Sequence, residues 1–183
     1  MGIRDYIIRN IGLDEGSKLP FSIELITAAK NKILTDYNQH ENSVYFIRSG
    51  VVISSITYKD EERILDFHFP RTFCASYSSL LTRETSDTRL LCYENCELEV
   101  VNYKELQAVY KTSLLANQLG RVATEQLFLS RVQREKELLT MNAEQRYQSL
   151  LNRNPALVQT IPVKELSKYL GVRPESLSRI RRG

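Results

Sequence analysis

The sequence is poor in the residues that carry chemistry. Its 183 residues include only two histidines, three cysteines, seven glycines and five prolines. His40 and His68 lie far apart with no HxH, so the histidine-and-carboxylate cluster of a cupin-type metal enzyme is missing; His68, between Phe67 and Phe69, reads as a sheet residue. Cys74, Cys92 and Cys96 are odd in number and form no CxxC, which suits reduced, structural thiols better than a disulfide framework or a closed zinc site. No GxSxG, Walker A, GxGxxG or HExxH occurs, and Asp60-Glu61-Glu62 reads as a solvated turn. A protein that is not an enzyme and holds no cofactor or metal is expected. No apolar stretch approaches the ~20 residues of a membrane span, and Met1-Gly2-Ile3-Arg4-Asp5 lacks the layout of a signal peptide, so the expected location is the cytoplasm, with no membrane partner. With 42% hydrophobic and 26% charged residues, the chain is neither disordered nor collagen-like, and its length suits one sizeable core plus a small appendage.

The net charge of +3 is a cancellation. Residues 1–110 hold 12 Lys+Arg against 16 Asp+Glu, or −4, whereas residues 111–183 hold 13 against 6, or +7. Only the C-terminal part is therefore a candidate surface for a polyanion.

Residues 43–57 are rich in β-branched and aromatic side chains around Gly50, as two short strands meeting at a turn would be. Residues 63–69 alternate before Pro70, and residues 88–101 add strand-like sequence broken at Glu94-Asn95. Short strands at this spacing predict an antiparallel sandwich or barrel. The first 35 or so residues read as mostly helical. Beyond Tyr103 the period becomes helical: Leu115, Leu119, Val122, Gln126 and Leu129, spaced 4, 3, 4, 3, form a stripe on a helix over about 113–139. That stripe either packs on the β core or, the favoured reading, pairs with a second copy to make a homodimer in which polar Gln126 helps fix register. Asn142 reads as the N-cap of a further helix carrying Tyr147, Leu150 and Leu151 inward and ending near Asn154-Pro155.

Residues 162–183 carry the sharpest pattern. Leu166 and Leu170 face inward from a first helix, Gly171 allows a left-handed turn, Val172 plugs the angle, and Leu177 with Ile180 forms the buried side of a second helix. Ser167 is small enough for the helices to approach, and Pro174 suits the first turn of the second helix. Arg173, Glu175, Ser176, Ser178, Arg179, Arg181 and Arg182 are left outside. Arginines for guanine edges and phosphates, a glutamate for cytosine and serines for either make the inventory of a recognition helix for double-stranded DNA. A merely solvated basic helix is the alternative, but the segment's net +4 coincides with the apolar template.

The order of parts resembles the CRP/FNR family of bacterial transcription regulators. Tyr45-Phe46-Ile47-Arg48-Ser49-Gly50-Val51-Val52 is similar to the strand-turn signature of the cyclic-nucleotide-binding fold, and Glu175-Ser176-Leu177-Ser178-Arg179 to the E-x-x-S-R recognition motif of the FNR branch. Tyr77-Ser78-Ser79-Leu80-Leu81 and the segment from Pro174 to Arg181 further resemble short members of Bacteroidetes type. The resemblance implies an α+β chain: an antiparallel β-roll with flanking helices over 1–110, a long dimerisation helix over 111–140 and a helix-turn-helix over 141–183. It also implies a transcription regulator whose Glu175, Ser178 and Arg179 read a palindrome with TTGA-like half-sites, with RNA polymerase as a further partner.

The departures matter equally. Where cyclic-nucleotide binders carry Gly-Glu and Arg-Ser-Ala, this sequence has Ala75-Ser76 and Ser86-Asp87-Thr88; Arg83 and Arg89 are out of register, and Asp87 would face a phosphate with the wrong sign. No cysteine precedes Cys74, against an FNR-type iron–sulfur cluster. Pro174 stands where the cyclic AMP-responsive branch has its first base-reading arginine, and an ending at Gly183 would leave no β-hairpin wing. The expected regulator is therefore not dependent on cyclic AMP. The aromatic cluster Phe67, Phe69, Phe73, Tyr77 and Tyr93 reads as core or as the wall of a pocket for an apolar effector, with Phe73, Ala75, Ser76, Tyr77, Ser86 and Asp87 as its candidate residues. The competing reading is a β-roll module for a ligand or protein partner in which DNA binding is weak or lost.

Overall fold

The computed structural model describes residues 1–14 and 16–182, leaving aside the side chain of Ala156; Gly183, on which the question of a wing turned, lies outside them. Eight strands form two four-stranded antiparallel sheets. The first runs in the order β1 (Glu24–Ala28), β8 (Cys96–Asn102), β3 (Ser43–Ser49), β6 (Phe73–Cys74); the second in the order β2 (Ile33–Thr35), β7 (Arg89–Cys92), β4 (Val52–Tyr58), β5 (Glu61–His68). Sequence neighbours β3 and β4 lie in different sheets, joined across Gly50, whose φ of +85° is open to a residue without Cβ. A Cβ there would also come within 2.4 Å of the Asn95 carbonyl.

The near-continuous apolar run of β3 and β4 follows from burial on both faces. Tyr45, Ile47, Val52 and Leu90 fill the space between the sheets with the three cysteines, which are all free and buried. Val44 and Phe46 point the other way, onto helices α1 (Ile3–Ile11), α2 (Tyr77–Thr82), α3 (Tyr103–Tyr110) and α4 (Leu114–Thr140). On the outer side of the second sheet, Val51, Ile53, Ile64 and Phe67 make a third cluster with the C-terminal helices. Each fully buried Ile, Leu or Phe contributes about 1.5–3 kcal/mol of transfer free energy, which is why a sheet covered on both sides tolerates so few polar residues.

Among the described residues of the N-terminal segment, 3–11 are helical; β1 and β2 replace the helix expected there, because pairing of Glu24–Ala28 with β8 satisfies backbone groups that local propensity alone would place in a helix. The acidic turn is also shifted: Lys59 and Asp60, with φ of 51° and 62°, form a two-residue hairpin turn, and Glu61 and Glu62 begin β5. After a break at residues 111–113, the Ser113 hydroxyl accepts the Ala116 N–H and opens α4, a helix of 27 residues and about 40 Å. Asn142 caps α5 (Ala143–Arg153), and Pro155 opens α6 (Pro155–Thr160), a helix the sequence reading did not separate. The chain then forms a helix-turn-helix from α7 (Val163–Leu170) and α8 (Pro174–Ile180). The joint between α4 and α5 is polar: the Glu137 carboxylate, 1% exposed, accepts from Ser149 Oγ at 2.8 Å and Arg153 Nη2 at 2.9 Å.

Candidate nucleic-acid interface

The geometry of α7 and α8 starts from five apolar side chains. Leu166, Leu170 and Leu177 are fully buried, with Val172 and Ile180 packed beside them, and Ser167, also buried, sends its hydroxyl back to the Lys164 carbonyl at 2.8 Å. Gly171 ends α7 in the left-handed conformation at φ 68°, ψ 37°, and Pro174 occupies the first turn of α8. These constraints turn one face of α8 outward. Arg173, Glu175, Arg179 and Arg182 are exposed, and Ser176 and Ser178 half-buried.

The outer side chains differ in how they are engaged. Among the described residues Arg173, Glu175 and Arg179 have no hydrogen-bond or ion-pair partner. Arg182 Nε donates to the Ser178 carbonyl at 3.2 Å, within the helix end. Arg181 turns away: its Nη2 donates to the Val158 carbonyl of α6 at 2.6 Å, so it braces the fold from the inner side. Arg181 therefore does not stand with the outward-facing residues, because its long side chain meets a carbonyl left over at the end of short α6.

The helix-turn-helix is seated on the roll through contacts that sequence spacing did not reveal. Lys168 Nζ reaches Glu62 of β5 at 2.6 Å and Glu165 at 3.0 Å. The Tyr169 ring meets Phe67 edge-on at 5.4 Å, and the Arg134 guanidinium stacks over its other side at 4.0 Å while also donating to its carbonyl. Arg131 adds a contact to Asp66 at 3.8 Å. The only signal in the sequence was an excess of aromatic and charged residues in β5.

The stripe on α4 is divided. Leu119, 5% exposed, is buried in the cluster beneath α1 and α3, Leu115 packs beside it, and Gln126 Oε1 accepts the Tyr6 hydroxyl at 2.7 Å. Those three face the chain's own roll, since α1 supplies a wall that the spacing could not show. Leu129 is 67% exposed and Val122 half-buried; with Leu114, Phe128 and Leu139 (77% exposed) they leave a second apolar face uncovered. The candidate effector residues separate in the same way. Phe73 and Tyr77 line a cavity outside the roll, Ala75, Ser76 and Ser86 are buried, and Asp87 is exposed, accepting from Ser78 and Thr88. The aromatic cluster also splits: Phe67, Phe69 and Tyr93 pack toward the helix-turn-helix and Phe73 with Tyr77 toward α1.

Inside the roll several buried polar groups satisfy one another. Glu41, 3% exposed, accepts from Thr35 Oγ1 at 2.6 Å and from the backbone N–H groups of Asn42, Ser43 and Ser76 at 3.0–3.2 Å. Ser76 and Ser86 share a 2.6 Å hydrogen bond, and Arg89 bonds Asp36 at 2.7 Å and stacks on Tyr37. Arg83 lies over the Tyr103 ring. His68 is buried, its Nε2 3.0 Å from Ser54 Oγ, and burial lowers its pKa, so the ring is neutral. Burial pushes the Cys74 thiol up. Among the described residues no group of His, Cys, Asp and Glu is placed to hold a metal, and no helix is long and apolar enough to cross a membrane.

A double-sheet roll, a long helix and a terminal helix-turn-helix in this order are the fold of CRP/FNR-type transcription regulators. Among solved structures the chain is similar to a transcriptional regulator of the CRP/FNR family from Eubacterium rectale (TM-score 0.71, 14% identity, covering 98% of this chain and 81% of that one). It is also similar to FixK2 from Bradyrhizobium japonicum (TM-score 0.70, 18% identity, 88% and 83%) and to a CooA variant from Carboxydothermus hydrogenoformans (TM-score 0.67, 17% identity, 87% and 75%). No family model matches the sequence, and no curated protein does.

Proposed function

We propose that the chain is a DNA-binding transcription regulator that acts as a homodimer, with a sensor roll over residues 1–110, a dimerisation helix over 111–140 and a reader over 141–183. The observation that carries this reading is the outer face of α8, where Arg173, Glu175 and Arg179 stand exposed without an internal side-chain partner on a helix anchored on its opposite face by buried Leu177 and half-buried Ile180. Unpaired arginines are what a phosphate or guanine edge recruits, and a rigid helix presents them in fixed register. Ser176 and Ser178 flank them, Arg182 adds a phosphate contact, and Arg181 acts as a brace. The exposed α4 face of Leu114, Val122, Phe128, Leu129 and Leu139 pairs with a second copy, which sets the two α8 helices about one DNA turn (~34 Å) apart over a palindrome. Independence from cyclic AMP is supported by Glu41, whose carboxylate already takes the Ser76 N–H, and by the lack, among the described residues, of an arginine bonded to that carboxylate. A change at the roll acts by shifting the population of α4 pairings, with RNA polymerase as the downstream partner.

Fluorescence anisotropy against a randomised duplex pool, at several salt concentrations, tests the reading. Selection of a palindrome with a steep salt dependence is expected. Equal affinity for selected and random duplexes would overturn it. Sedimentation supplies the test of the seam: the wild-type chain is expected to be a dimer at micromolar concentration and the Phe128→Glu, Leu139→Glu variant a monomer.

A further inference from the structure

A partly open cavity of about 560 Å³ lies on the outer side of the first sheet, between α2, α3 and α4. Val44 and Val101 form part of its floor, and they point away from the Glu41 cluster, so a layer of sheet separates the cavity from the interior of the roll. Its walls are mostly apolar, with the rings of Phe73, Tyr77, Tyr103 and Tyr110 among them.

Several polar groups in it are unspent, two tyrosine hydroxyls among them. Among the described residues neither the Tyr77 hydroxyl, from α2, nor the Tyr110 hydroxyl, from α3, has a hydrogen-bond partner. Burial pushes both phenols above their ordinary range, so each remains an O–H donor at neutral pH. Tyr110 is also given room: its hydroxyl rests against Gly120 of α4, where a Cβ would come within 2.6 Å of the oxygen. The Tyr103 hydroxyl, the Gln107 amide and the Thr124 hydroxyl at the wall likewise have no side-chain partner among the described residues, whereas three other polar side chains are engaged. Arg121 and Glu125 neutralise each other at 2.7 Å, and the Asn117 amide nitrogen donates to the carbonyls of Tyr110 and Ser113. The cavity therefore presents donors without net charge.

We propose that this cavity is a binding site for a neutral, mainly aromatic small molecule of roughly two fused rings or somewhat more, whose carbonyl oxygen accepts from the Tyr77 and Tyr110 hydroxyls. The aromatic walls supply edge-to-face contacts with the ligand's rings, and a carbonyl supplies an acceptor for the two hydroxyl donors in place of solvent. A ligand here touches Gly120, Ala123 and Leu127 of α4 and so adjusts the same helix whose other face is exposed.

The probe is 6-propionyl-2-(dimethylamino)naphthalene, a ketone on a naphthalene, read by its own fluorescence in a protein without tryptophan. Saturable, blue-shifted binding at one site per chain is expected. The double variant Tyr77→Phe, Tyr110→Phe keeps both rings and is expected to weaken binding about tenfold. In competition, 2-acetylnaphthalene should displace the probe about tenfold better than 2-ethylnaphthalene on the wild type and no better on the double variant. Ala123→Phe should block the site; Gly120→Ala, a smaller change that pushes the Tyr110 hydroxyl aside, should weaken it if the larger one prevents folding. Arg179→Ala should bind the probe as the wild type does, so the result stands apart from any test of DNA binding. Absence of saturable binding, equal displacement by the two naphthalenes on the wild type, or full affinity in both α4 variants, as for a probe held between two copies on the exposed face, would overturn the proposal.

Discussion

In the roll Arg48 lies 3.5 Å from Glu97, Arg63 is 2.6 Å from Glu61 and Arg89 is 2.7 Å from Asp36, whereas in α8 Arg173 and Arg179 face solvent with no carboxylate opposite. These three roll arginines are thus occupied, and the two at the terminal helix are available. The difference originates in composition, since the roll half carries an acidic excess and the C-terminal half a basic one. It is completed by packing, because Leu177 and Ile180 turn α8 so that its arginines point away from the roll's carboxylates. Within the helix-turn-helix the contrast recurs: Lys168 of α7 is held by Glu62 and Glu165, and so fastens the reader to the roll instead of serving as free positive charge.

The most damaging way to break this comparison is to remove the scaffold under α8. Leu177→Ala truncates a fully buried side chain and should cost about 2–5 kcal/mol of stability, seen in urea denaturation, with DNA selection lost because the arginines are no longer presented together. Arg179→Ala leaves the scaffold intact; it should cost about 1–3 kcal/mol at the selected site and relax base preference, while Arg182→Ala mainly lowers the slope of affinity against salt. Arg89→Ala, in the roll, should change neither quantity in the same anisotropy assay.

Acid sharpens the contrast further. The Arg89 guanidinium, followed by the Tyr37 N–H, holds the Asp36 carboxyl below its usual range. Burial acts to raise Glu62, but the Lys168 ammonium and Ser55 hydroxyl together outweigh it, so that carboxyl is lowered too. A depressed folded pKa contributes stability that is present above the unfolded value, about 4, and is lost as pH falls through the lower folded values. Thermal melts below pH 4 should therefore show the roll and its contact with α7 weakening, and Arg89→Ala should reduce that acid sensitivity. The smallest effect belongs to the exposed pair Arg63–Glu61: Arg63→Ala should change the urea midpoint by no more than the equivalent of about 0.2–1 kcal/mol.

The strands around Gly50, the break at Glu94-Asn95, the cap Asn142 and the apolar template of α7 and α8 were legible because each rests on neighbouring residues in the chain. A turn needs φ > 0 at one position, and a helix buries a stripe of fixed spacing. The strand character of residues 24–35 was not legible, since it depends on β8 and β7, between about 55 and 76 residues away, supplying the hydrogen-bond partners. For the same reason Leu119 could be placed on an apolar stripe while its partner was misread: periodicity gives the face of a helix, but α1 and α3 decide what covers it. Arg181 was grouped with outward residues because nothing in its own helix marks the Val158 carbonyl as its acceptor.

By itself, the amino-acid sequence determined most helix starts and stops in the C-terminal half, α6 excepted, which side of α8 is apolar, and how charge is divided between the halves, because these are properties of nearest neighbours and of composition. Tertiary structure alone decided which charges are neutralised, that Glu41 fills the polar interior of the roll, that α4 is half covered, and that Tyr77 and Tyr110 meet at one cavity. Those outcomes depend on which distant segments come within a few ångströms. That proximity is set by the packing of two sheets and eight helices as a whole, and no local window of sequence contains it.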